Sequence, residues 1–241
     1  MNTARALLLA CLCAGLVTAR ASQAQESDKE LPFKLTVGEH HFSQSGRGLD
    51  VNLRHTSELG TTWLGYFKAG DLNAHQSRAG WERWFGEDLR VLPSLQVASG
   101  GFVGGSVNLE TGKRWIAGAG VGRTNLHPYF NLNFDPNDAW TLSGAYRSEG
   151  GAISTLVLVH DNRLNPDQRH LHAVHRTPLP NGNRLTIDLL FKQGLVGGVM
   201  TRRTGATITY DWPRFFVRLA YDPVTNFTPD YSTRLSVGTR F

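Results

Sequence analysis

Over its last stretch the chain alternates without a break. Tyr231, Thr233, Leu235, Val237, Thr239 and Phe241 are aromatic, aliphatic or threonine, whereas Ser232, Arg234, Ser236, Gly238 and Arg240 are polar, charged or glycine. Side chains on a strand point to opposite faces in turn, so this pattern predicts a strand with one apolar and one wet face. The pattern recurs upstream. Residues 49–54 alternate fully, and residues 89–97 do so apart from Leu92, which falls on the wet side. Val103, Val107 and Leu109 oppose Ser106, Asn108 and Glu110; residues 115–122 put Gly118, Gly120 and Gly122 on one face. Phe130, Leu132 and Phe134 oppose Tyr129, Asn131 and Asn133. Leu185, Ile187, Leu189 and Phe191 oppose Arg184, Thr186, Asp188, Leu190 and Lys192, and two further segments, 206–212 and 217–221, repeat the theme.

Short turns rich in Gly, Pro, Asn and Asp separate these segments, among them residues 45–48, 86–88, 99–101, 111–113, 135–138, 149–151 and 180–182. Gly supplies positive φ and Pro, Asn and Asp pre-form the reversal. Strands joined this way are antiparallel neighbours, which predicts an all-β, up-and-down meander in one domain. About 15 segments can be counted, with residues 63–85 and 196–203 the least regular. A barrel with both termini on one side needs an even number, so the prediction is 14 strands, with 12 and 16 as alternatives. Counting back from a descending last strand puts residues 222–230 and 162–168 outside, and the 45–48 turn on the periplasmic side.

Composition supports a membrane barrel over a helix bundle. The 26 glycines, 12 phenylalanines, 6 tryptophans and 6 tyrosines suit strands, turns and interfacial aromatics, and mean hydropathy is slightly negative, −0.28. A barrel hides its apolar surface in every second residue, so bulk hydropathy stays modest. At the other end, Arg5 precedes an apolar stretch at 6–17 and small residues up to Ser22-Gln23-Ala24, which predicts a cleaved secretory signal over residues 1–24 and a barrel over 25–241. Both cysteines, Cys11 and Cys13, fall within that signal, which excludes disulfides, thiolate metal sites and cysteine catalysis from the mature chain. Removing Arg5 and Arg20 lowers the formal charge from +5 to +3. So small an excess, spread along the chain, is no nucleic-acid footprint.

The terminal strand, with Tyr231, Leu235, Val237 and Phe241 as its signal positions, resembles the C-terminal signature of Gram-negative outer-membrane β-barrel proteins. The resemblance implies residence in the cell outer membrane among its lipids. It also implies delivery by periplasmic chaperones and recognition of the last strand by the barrel assembly machinery. Trp115, Trp140, Trp212 and Tyr221 are the expected girdle aromatics at the membrane surfaces.

If the apolar face meets lipid, the lumen receives Arg54, Arg90, Arg147, Arg176, Arg184, Lys192, Arg218, Arg234 and Arg240, against Asp50, Glu110, Asp188 and Asp211. A basic lining concentrates small anions, so the leading expectation is a porin-like passive channel, or a structural barrel whose charges pair and plug it. Among nine histidines, His170 and His172 share the inward face and His175 the opposite one. No third ligand is evident from spacing, and a zinc site needs three or four, so neither metal nor cofactor is expected. The alternative is catalytic. His41 and Ser43 lie side by side on one strand face with Glu39, and resemble the His-x-Ser pair of outer-membrane phospholipase and lipid A deacylase barrels, which implies lipid hydrolysis. A soluble β-sandwich is a third reading.

Overall fold

The computed structural model describes residues 31–71, 73–132 and 135–241; the expected signal lies outside them. Among the described residues the strands are β1 (Phe33–Phe42), β2 (Gly46–Ser57), β3 (Gly60–Ala69), β4 (Ala74–Glu82), β5 (Leu89–Ala98), β6 (Phe102–Thr111), β7 (Trp115–Thr124), β8 (Ala139–Arg147), β9 (Ile153–Asp161), β10 (Arg169–Pro178), β11 (Arg184–Val196), β12 (Val199–Asp211), β13 (Phe215–Asp222) and β14 (Ser232–Arg240). Each pairs antiparallel with its sequence neighbours, and β1 closes on β14 to complete a 14-stranded barrel. Strands of 8 to 13 residues match the length that a tilted strand needs to cross a bilayer. At the seam Val37 faces Val237 and Leu35 faces Thr239. Phe33 and Phe241 exchange backbone hydrogen bonds of 3.0 and 3.1 Å, which ties down the last residue.

The two faces differ as the alternation predicts. Leu64, Leu95, Leu142, Leu156, Leu219 and Leu235 point outward and are 51–64 % exposed. A continuous belt of that kind is far larger than a water-soluble surface tolerates, and is what a lipid-solvated wall requires. Inside, Phe67, Phe102, Leu190 and Phe216 are buried. Gly238 makes one of these contacts possible: a Cβ there would sit 2.1 Å from the Phe216 ring. Trp115, packed on Tyr146, and Trp212, packed on Tyr210, mark the mouth that holds the termini; Trp140 on His160 and Tyr221 beside Tyr231 mark the other.

The sidedness of the first half departs from the sequence prediction. Residues 129–132 lie outside every strand, in the connection between β7 and β8 that runs from 125 to 138. Counting them as a strand reverses the side of everything upstream. The β1–β2 turn at residues 43–45 therefore shares a rim with residues 223–231 and 162–168, opposite the termini. The segments that looked irregular hold regular strands: 63–85 contains most of β3 and all of β4, and 196–203 contains the tight turn from β11 into β12. We refer to the rim with the long connections as the outer mouth and the rim with the termini as the inner mouth, following the arrangement of bacterial barrels.

Asp230 fastens the outer rim across the seam. Its carboxylate accepts the Ser43 hydroxyl, the Ser45 hydroxyl at 2.6 Å and the Gln44 N–H at 2.9 Å. Burial pushes this carboxyl up, but those hydrogen bonds outweigh it and hold it below its ordinary value. A depressed folded value contributes stability that is present above the unfolded carboxyl range and is lost as pH falls toward the folded one. Asp230→Ala is therefore expected to cost about 1 kcal/mol in urea unfolding at pH 7. The gap from wild type should shrink at pH 3; a gap independent of pH would contradict the clasp.

Candidate functional site

The connection at 125–138 turns into the barrel and crosses it. At its base the Asp138 carboxylate accepts Thr124 N–H at 3.0 Å, Thr124 Oγ1 at 2.6 Å and Arg163 Nη1 at 3.1 Å, which pins the two ends of the loop together. Burial raises the Asp138 carboxyl, but these donors bring it below its ordinary value. On one wall Gln76 of β4 acts as a substitute strand: its Oε1 accepts Phe130 N–H at 2.8 Å and its Nε2 donates to Phe130 O at 3.2 Å. The Phe130 ring packs on Phe67 and the Tyr129 ring on Phe102. Arg234 of β14 donates to Leu132 O at 3.0 Å. The returning pass lies against Gly122 of β7, where a Cβ would meet Asn137 O at 2.4 Å.

The far anchor is on β10. His170 Nδ1 and His172 Nε2 lie 2.7 and 2.9 Å from the same oxygen, Asp135 Oδ1. The other nitrogen of His172 faces both Asp188 oxygens at 3.0 Å. Both nitrogens of His172 thus face carboxylate oxygens. Burial would push the Asp135 carboxyl up, but the hydrogen bonds from His170 and His172 prevail and hold it well below the usual carboxylate range. β4 and β10 stand six strands apart in the ring of fourteen, so the loop spans nearly the full width of the lumen.

Charge is divided by the loop. Toward the inner mouth lies a cavity of about 320 Å³ whose lining includes Lys34, Arg54, Arg78, Arg218 and Arg234, with Asp50 as its one carboxylate. Arg78 pairs with Asp50 at 2.6 Å, and Arg54 reaches Glu82 at 3.5 Å. Toward the outer mouth a smaller space of about 180 Å³ is lined by His40, Asp222 and Asp230.

The sequence-predicted lining residues stand in different settings. Arg218 donates to Thr209 at 3.2 Å beside the Phe216 ring. Arg184 and Arg240 both reach Asp211 near the inner mouth, where Arg176 and Arg147 also lie. Arg90 pairs with Glu110. Lys192 is fully buried and bound to Asp222, so it presents no free charge to a solute. Asp188 is occupied by His172. Sequence reasoning missed Lys34 and Arg78. Lys34 has the inward parity of its strand; Arg78 sits where β4 shows little alternation. It also missed the loop, whose signals were Pro128 and Pro136 at either side of the apparent strand, since Pro cannot donate to a ladder.

No protein-family profile and no curated protein matches the chain by sequence. Solved structures do match its shape. Outer membrane protein Omp33 of Acinetobacter baumannii superposes with a TM-score of 0.58, at 10 % identity, over 88 % of this chain and 99 % of that one. The fold is that of an outer-membrane β-barrel. The NanC porin (TM-score 0.47, 10 % identity, 86 % of this chain and 100 % of that one) and OprD of Pseudomonas aeruginosa (0.44, 10 %, 87 % and 93 %) follow it less closely.

On this barrel the hydrolase residues do not assemble. His41 and Ser43 share the outer face, but the Ser43 hydroxyl is donated to Asp230 and accepts Tyr231 N–H at 3.1 Å. Glu39 pairs with Arg47 at 3.6 Å. Among the described residues no hydrogen bond joins His41 to Ser43, and a base must reach its nucleophile to activate it. The serine is a rim fastener. Tyr231, Leu235, Val237 and Phe241 face outward, 42–56 % exposed.

Proposed function

We propose that the protein is a passive outer-membrane channel for small anionic solutes, narrowed by the loop at 125–138 and biased by the cations on its inner side. One observation carries this reading: the inner cavity sets five cationic side chains against a single carboxylate. An aqueous chamber walled by low-dielectric protein and lipid focuses such a field and enriches anions. Lys34, Arg54 and Arg218 then act on the solute electrostatically. Arg234 has a second role, holding the loop. Recognition of the last strand by the assembly machinery rests on the outward Tyr231, Leu235, Val237 and Phe241. A sealed structural barrel is the competing reading, favoured by the span of the loop across the lumen.

Refolded protein in a planar bilayer under a KCl gradient separates the two. Wild type is expected to give discrete steps with a reversal potential favouring chloride. Lys34→Gln with Arg218→Gln should lower the chloride-to-potassium permeability ratio by about threefold, since neutralising fixed charge weakens the field that selects. A silent barrel that still shows heat-modifiable mobility would overturn the channel reading. Steps with an unmoved reversal potential would overturn the role of the cations.

A further inference from the structure

Where the crossing loop meets β10, two imidazoles and a carboxylate converge. One ring nitrogen each of His170 and His172 and an Asp135 oxygen all lie within 4.8 Å of one another, and His170 Nδ1 and His172 Nε2 are the atoms that meet Asp135. We propose that Asp135, His170 and His172 bind a divalent transition-metal ion of the zinc class, which staples the loop across the lumen to the barrel wall.

The donor set is the first support. Two imidazole nitrogens and a carboxylate oxygen are ordinary zinc ligands, and three protein ligands leave a fourth position for water or a solute anion. With ligand bonds of about 2.0–2.1 Å, tetrahedral donors stand about 3.4 Å apart. The present separations of 2.7 and 2.9 Å from Asp135 to the two imidazoles need widen by about 0.5–0.7 Å, and the two imidazole nitrogens, within 4.8 Å of each other, close by at most about 1.4 Å. The surroundings are the second support. Ligating histidines characteristically direct their other nitrogen to a hydrogen-bond partner that fixes the ring. Both do so here. His172 Nδ1 faces the Asp188 carboxylate at 3.0 Å, and His170 Nε2 faces the Gln168 side-chain amide at 3.2 Å. The His170 ring is further held by stacking on Phe227 at 5.5 Å. The nearby cation Lys192 is matched by Asp222 at 2.8 Å, so it does not leave the site positively biased. Finally, the ligands come from two independent elements. Asp135 belongs to the loop and the histidines to the wall, so an ion would couple metal availability to loop position.

The test uses the full barrel refolded in detergent micelles and titrated with ZnCl₂ by calorimetry. It does not require the barrel to conduct. Wild type is expected to bind one ion per chain. Asp135→Asn should weaken binding at least about tenfold, as should Asp188→Asn through His172, in line with the effect of removing ligand supports. His170→Ala with His172→Ala should abolish binding, and His41→Ala, on the outer face, should match wild type. Asp135 lies outside the strands, so its variant tests the site without disturbing the ladder; heat-modifiable mobility verifies each barrel. Zinc should also slow amide exchange over residues 130–138 by about tenfold or more, because a stapled loop opens less often. Absence of binding, binding unchanged in Asp135→Asn, or binding without protection of the loop would each overturn the proposal.

Discussion

Replacing residues 127–136 by a short Gly-Ser bridge is expected to raise single-channel conductance about fivefold and to weaken anion selectivity. The loop is the one chain segment among the described residues that crosses from β4 to β10. Barrel width grows with strand number: eight strands leave room for side chains alone, and sixteen to eighteen leave a water-filled channel. At fourteen, the wall encloses more space than inward side chains fill, and the loop occupies the difference. Retaining Asn125, Leu126, Asn137 and Asp138 keeps the Thr124–Asp138 fastening, and β7 and β8 remain paired from Trp115–Tyr146 to Val121–Trp140. The excision uncovers Phe67 and Phe102, now 0 % and 2 % exposed, at a stability cost on the order of 2 kcal/mol. The barrel should therefore still assemble. Selectivity falls because a wider lumen screens the lining cations more fully. Conductance unchanged from wild type would show that the constriction lies elsewhere.

The wall of this barrel was legible because lipid outside and polar groups inside impose opposite demands on successive residues. β11 and β14 meet both demands at nearly every position, and their registers follow the alternation of the sequence. The loop escaped for the same reason. Its Phe130 lies against Phe67 inside the lumen, so its apolar partner is aromatic protein and not lipid, yet the period is the same. That one misassignment also reversed the side of the 45–48 turn. Charge was legible residue by residue but not as a distribution. Nothing local to Lys192 reveals that Asp222, thirty residues on, consumes it. In the same way, the spacing of His170 and His172 was visible, whereas Asp135 joins them only through the path of the loop.

Lys192→Met is expected to destabilise the barrel by about 3–5 kcal/mol, the range for breaking a buried ion pair from one side. The ammonium has three N–H groups and three acceptors: Asp222 Oδ1 at 2.8 Å, Asp222 Oδ2 at 3.0 Å and Val224 O at 2.8 Å. The two side chains are 0 % and 2 % exposed, so water cannot replace a lost partner. Methionine fills much of the lysine volume, and the loss is then chiefly the uncompensated Asp222 carboxylate. Asp222→Leu strands the lysine instead and should cost a similar amount, and it also removes the acceptor for Val224 N–H. The double variant is the decisive comparison. Two apolar side chains in place of a buried pair are often close to neutral, so its loss should fall far below the sum of the single losses. Urea unfolding in micelles, followed by tryptophan fluorescence, measures all three. Additive losses would mean that the pair is not coupled as its geometry requires. A large coupling would assign Lys192 to holding β11 against β13 and the 224–227 turn, and leave the solute field to Lys34, Arg54 and Arg218 at the inner cavity.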